Sequence, residues 1–163
     1  MSPSATNPNA ALQWNTPNER EIRTERTFNA KRERVWRAFT VREELAQWWG
    51  RGHSVSVERL EVERGGRWRF VEQTPQGPQG FEGRYREVTP PERIVQTFEW
   101  DGMPGHVIVV TTTFEDLGDG RTRVVTLSLF HTTYERDGML NAGMTQGMGE
   151  SYRTLDALLA ASP

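Results

Sequence analysis

Apolar and polar positions alternate along most of this chain, and the period changes at a few clear places. EIRTERTFNA sets Ile22, Thr24, Arg26 and Phe28 against charged neighbours, which predicts a strand. KRERVWRAFT then carries Val35, Trp36 and Phe39 at helical spacing, and VREELAQWWG carries Leu45 with Trp48 or Trp49. These predict two short helices, with Gly50 as the C-cap of the second. Six strand-like runs follow: SVSVERLEVE, RWRFVEQ, GFEGRYREVT, RIVQTFEW, HVIVVTTTFED and RTRVVTLSLFHT. Between them stand Gly65-Gly66, TPQGPQG, Pro90-Pro91, DGMPG and LGDG, which are turn and hairpin signals. From about Tyr134 to Ala161 the period returns to that of one long helix. Leu140, Met144, Met148 or Gly147, Ser151, Leu155 and Leu159 share its face.

The predicted order is one strand, two helices, six strands and a long helix. Short turns between successive strands require antiparallel neighbours. One sheet of about seven strands and one long helix must bury their apolar faces on each other. The fold class is therefore α+β, a curved antiparallel sheet wrapped on a C-terminal helix. The helix contains Gly143, Gly147 and Gly149, each costing about 1 kcal/mol against alanine in a helix interior. Tertiary packing must hold such a helix, through close approach to the sheet or room kept for a ligand. Residues 1–19, rich in Ser, Pro, Asn and Thr, are expected to form a flexible N-terminal tail before a single domain at 20–163; Trp14 is the one aromatic there.

Composition narrows the function classes. The net charge is −2, which gives no electrostatic footprint for nucleic acid. Lys31 is the only lysine among 20 basic residues; an arginine-lined anion site would require several guanidinium groups to converge. There are no cysteines, so disulfides, thiolate nucleophiles and cysteine metal sites are excluded. No secretory signal and no membrane-spanning run is legible, and a cytoplasmic location is expected.

The chemistry of a catalytic centre is missing from the motifs. The histidines, His53, His106 and His131, do not stand at metal-ligand spacing, and no metal or cofactor is expected. No G-x-S-x-G elbow or phosphate-binding loop occurs. Carboxylates such as Glu72 and Glu82 read as a solvated strand surface, although a buried one would point to function. No catalytic residue is assigned. What remains is an aromatic face with a few polar members, the usual make-up of a small-molecule site. The expected lining is Trp49, Trp68, Phe70, Phe81, Tyr85, Gln96, Phe98, Trp100, Thr112, Phe114 and Phe130, with Met144 and Met148 as a deformable wall on the helix. In the last strand two faces compete. Val125, Leu127 and Leu129 form the more apolar one; Val124, Thr126, Ser128 and Phe130 form the other.

The runs FNAKRERVWRAFTVREELAQWWG, RGGRWRFVEQ, GFEGRYREVTPPERIVQTFEW, TTTFEDLGDGRTRVV and SLFHTTYERDGMLNAGMTQGMGESYRTLDALL occur in an order and spacing that resemble a known family. Together they cover about residues 21–160. The chain resembles the START-like helix-grip superfamily, and within it the branch named after the activator of heat-shock protein 90 ATPase homologue. The resemblance implies the helix-grip fold and a ligand-accessible cavity between sheet and C-terminal helix, and it favours Phe130 inward. It also implies kinship with bacterial lipophile-binding or stress-associated proteins. Three functions compete. The first is binding of a hydrophobic or aromatic small molecule. The second is a cyclase- or hydrolase-type enzyme with a pocket acid or base. The third is a co-chaperone-like or homodimeric interaction domain.

Overall fold

A computed structural model describes residues 11–163. The strand β2 (Glu21–Phe28) leads into α1 (Arg32–Thr40) and α2 (Arg42–Trp48). Five further strands then run as a meander: β3 (Val55–Leu60), β4 (Arg67–Thr74), β5 (Gly77–Thr89), β6 (Arg93–Trp100) and β7 (Ile108–Asp116), and β8 (Thr122–Leu129) closes it. The chain ends in α3 (Thr133–Asn141) and α4 (Met144–Ala161). With a short strand β1 (Gln13–Asn15) before β2, all strands join one antiparallel sheet, in the order β1-β2-β8-β7-β6-β5-β4-β3.

The sheet has eight strands rather than about seven. The extra one, β1 (Gln13–Asn15), lies inside the segment expected as a tail and pairs with Arg23–Glu25 of β2, placing Trp14 opposite Thr24. Too short to show an alternating pattern, β1 is set by the edge it completes. The rest of the expected tail, residues 1–10, lies outside the described residues.

The expected long helix is two helices. Gly143 adopts φ +91°, a left-handed conformation that ends α3 and restarts the chain as α4. The Thr132 side chain caps α3 by accepting from the Glu135 amide. Gly143→Ala puts a Cβ into that left-handed position and is expected to cost about 1 kcal/mol in chemical denaturation, without changing the slope of the transition.

The register settles the last strand. Val124 lies opposite Phe114 and Thr126 opposite Thr112, and residues directly opposite share a face. Thus Val124, Thr126, Ser128 and Phe130 are buried while Leu129 is exposed. The more apolar face is the outer one.

The inner face packs on α1, α2 and α4. Phe28, Val35, Ala38, Leu155 and Leu159 are buried where these elements meet. The Trp48 indole donates to the Ala38 carbonyl at 2.8 Å, tying α2 to α1. Three arginines hold α4. Arg26 of β2 pairs with Asp156, Arg34 of α1 donates to the Ser162 carbonyl at 2.6 Å, and the Arg51 amide donates to Ser151 Oγ at 3.0 Å. These three arginines thus tie β2, α1 and the segment after α2 to α4.

Candidate functional site

The expected lining residues fall on the inner face, but they do not form one wall. Trp68, Phe70, Phe81 and Phe98 make a continuous ring cluster, with Trp68 and Phe70 centroids 4.7 Å apart and Phe81 and Phe98 5.4 Å apart. Trp49, just after α2, closes this cluster from the helix side, edge-on to Phe70 at 5.2 Å and to Phe81 at 5.3 Å. Trp100 lies opposite Phe81 and donates through Nε1 to Gln79 Oε1 at 2.8 Å. Met148 of α4 packs against the main core.

Phe114 belongs elsewhere. Its ring meets Trp36 and Phe39 of α1, and the Phe39 ring in turn meets Trp48 and Tyr152. Phe130 and Met144 belong to a third group, with Ile22, Ile108, Met139 and Leu140. The reason is the width of the sheet. Alternation places every second residue on the inner face, but strand order decides which end of that face each reaches.

Between the two larger ring clusters runs a polar belt. One row is Thr24, Thr126, Thr112 and Ile94, opposite one another across β2, β8, β7 and β6. The next is Ile22, Ser128, Val110, Gln96 and Tyr85. The Tyr85, Thr112, Thr126 and Ser128 side chains are all buried. Thr126 shares a hydrogen bond with the Tyr152 hydroxyl, whose ionisation burial pushes up to about 12 even with that bond and the Arg26 charge opposing the rise. Burial alone holds the Tyr85 hydroxyl well above the usual phenol range. Both tyrosines therefore stay protonated at ordinary pH and can donate but not act as bases.

Among the described residues, no hydrogen bond ends on the side chains of Tyr85, Gln96, Thr112 or Ser128. The unpaired side-chain atoms sealed from solvent all belong to arginines. The belt's free polar atoms therefore border space that a water molecule can reach. The rings beside the belt are packed on one another, so the space is narrow. Two surface clefts lie outside it, one lined by Lys31, Arg32, Glu33, Asp116, Gly118 and Gly120, the other by Asn18–Glu21 and Leu129.

Glu72 differs from its sequence reading. It is 1% exposed, on the inner face of β4 beside Phe70, whereas Glu82 is exposed on the outer face in an ion pair with Arg69. The spacing Trp68, Phe70, Glu72 contained this signal, since residues at i, i+2 and i+4 share a face. Arg51 Nη2 and His53 Nδ1 both donate to Glu72 Oε1, the latter at 2.9 Å. Among the described residues, no group of three or more His, Asp or Glu is placed to hold a metal. Among the described residues, no helix is long and apolar enough to cross a membrane.

An antiparallel sheet closed over a C-terminal helix, with an inner face part aromatic and part hydroxyl, defines a helix-grip protein. The chain belongs to the family described as Activator of Hsp90 ATPase homolog 1-like protein, which matches residues 29–160. This family is known for ligand-binding cavities. Similar solved structures include a protein from Rhodobacter sphaeroides, 28% identical with a TM-score of 0.85, the match covering 93% of this chain and 99% of that one. A protein from Chromobacterium violaceum is 27% identical with a TM-score of 0.76, over 87% and 98%. The AHSA1 protein of Silicibacter pomeroyi is 25% identical with a TM-score of 0.70, over 88% and 99%. No curated protein sequence matches the chain.

Proposed function

We propose that this protein binds a hydrophobic or aromatic small molecule between the inner sheet face and α4, seated against the Trp49, Phe70, Phe81 and Phe98 rings and reaching the polar belt. The observation that carries this reading is the belt itself. Buried polar groups in a core built only for stability are paired with very few exceptions. Here the buried Tyr85, Thr112 and Ser128 and the half-buried Gln96 lie together on the inner face without a protein partner, their polar atoms bordering space that water can reach. Valine and phenylalanine would fill the same volume at no desolvation cost. Groups kept polar, unpaired and adjacent to apolar rings suit a ligand that is mostly apolar and carries one or two polar atoms.

N-phenyl-1-naphthylamine, an apolar aromatic dye, tests the reading. Saturable one-site binding with energy transfer from tryptophan is expected, and a rise in melting temperature with dye concentration should accompany it. Linear, unsaturable partitioning would contradict it. Tyr85→Phe separates the two roles of the belt. Removing an unpaired hydroxyl is expected to leave thermal stability unchanged or raise it by about 0.5–1 kcal/mol. A loss above about 1 kcal/mol would show that the hydroxyl serves the fold instead.

A further inference from the structure

The segment between α2 and β3 crosses to α4 in an unusual conformation. Gly50, Arg51 and Gly52 are consecutive left-handed residues, at φ +110°, +56° and +83°. A non-glycine residue held there costs free energy that its surroundings must offset. Two contacts with α4 do so. The Arg51 amide donates to Ser151 Oγ, and the Arg51 stem lies on Gly147, where an added Cβ would stand 2.5 Å from Arg51 Cδ. Gly147 is thus the gap in α4 through which Arg51 passes. The guanidinium reaches Glu72, whose side chain is 2% exposed, while those of Arg51 and His53 are 44% and 36% exposed. This strap therefore joins solvent to a buried carboxylate, and it begins at Trp49, whose ring closes the Phe70 and Phe81 cluster.

Both bonds to Glu72 fall on Oε1, and among the described residues none falls on Oε2. A carboxylate oxygen has lone pairs for two donors, and Oε2, which is not among the unpaired atoms sealed from solvent, borders space that a donor can enter. We propose that Glu72 Oε2 is the acceptor for the polar head of the bound molecule, and that this head is a neutral hydroxyl on an aromatic ring. This rests on the ligand-binding reading above and names the chemistry of its polar end. The charges select the head. Arg51 already neutralises Glu72, so a cationic amine would bring a second positive charge to the same carboxylate. A carboxylate head would meet Glu72 as a like charge. A neutral O–H donor adds no charge and supplies the missing bond, and the Trp49, Phe70 and Phe81 rings suit an aromatic body.

Four naphthalenes of nearly equal size test this on the intact protein, by calorimetry or tryptophan quenching: 2-naphthol, 2-methoxynaphthalene, 2-naphthoate and 2-naphthylmethylamine. The expected result is 2-naphthol binding about tenfold or more tightly than 2-methoxynaphthalene, the range for a hydrogen bond to a charged acceptor. The two charged compounds bind more weakly than 2-naphthol. In Glu72→Met the naphthol and methoxynaphthalene affinities converge. Equal binding of these two by the unmodified protein overturns the assignment of Glu72 while leaving the ligand-binding reading intact. Tightest binding of the amine or the naphthoate overturns the neutral-donor assignment. Binding of none of the four overturns both. The wild-type comparison stands even if Glu72→Met fails to fold.

Discussion

Trp68→Ala is expected to destabilise the protein by about 3–5 kcal/mol, a large share of the 5–15 kcal/mol typical of a domain. The indole is 1% exposed and tilts against both Phe70 and Phe98. Its Nε1 donates to the Thr97 carbonyl at 3.1 Å. Gly83 makes the room for this bond, since a Cβ there would stand 2.0 Å from Thr97 O and 2.7 Å from Trp68 Nε1. Truncation removes the ring contacts, opens a cavity and strands a carbonyl. The melting temperature should fall by roughly 10 °C. A loss below about 1 kcal/mol would show that the ring lines an open chamber instead of packing a wall.

Asp156→Ala is expected to cost about 1.5–3 kcal/mol in chemical denaturation. Arg26 is 4% exposed on the inner face, lies over the Phe28 ring at 4.8 Å, and meets the Asp156 carboxylate of α4 through both terminal nitrogens. Removing Asp156 leaves a buried guanidinium with the Thr27 carbonyl as its remaining acceptor. The side chain of Asp156 is 40% exposed, so water can partly replace it, which keeps the cost below that of a fully buried pair. Arg26→Met combined with Asp156→Ala should recover most of the loss, because an apolar chain of similar length needs no counter-ion. A double variant no more stable than Asp156→Ala alone would contradict this account of the pair.

Most of the architecture was legible because alternation of period two and turn residues specify antiparallel strands directly. The KRERVWRAFT and VREELAQWWG helices became α1 and α2 because their apolar residues recur at helical spacing, the second ending at Trp48 with Trp49 and not Gly50 at its C-cap. Legibility failed where a long-range contact decided the outcome. β1 is three residues on the edge of a sheet that forms from elsewhere in the chain. The break at Gly143 depends on backbone geometry that helical periodicity does not register. β8 turns its more apolar side outward because Thr126 and Ser128 complete the polar belt, a demand that no local pattern expresses.

The candidate site was legible as a set of residue types and not as an arrangement. Phe114 and Phe81 look alike in sequence, each alternating with polar residues, yet one packs on α1 and the other meets Trp49. Glu72 was readable from its spacing to Phe70, but a charged residue on an apolar face conflicts with composition alone. Its partners, Arg51 and His53, come from a loop whose path depends on Gly147, far along the chain.

A polar belt and a ring cluster that face a common ligand should both touch it. Intermolecular nuclear Overhauser effects from bound N-phenyl-1-naphthylamine are expected to Phe81 and Phe98 on one side of the dye and to Tyr85 and Thr112 on the other, in a single saturable complex. Contacts confined to the outer face, at Leu127 and Leu129, would contradict it.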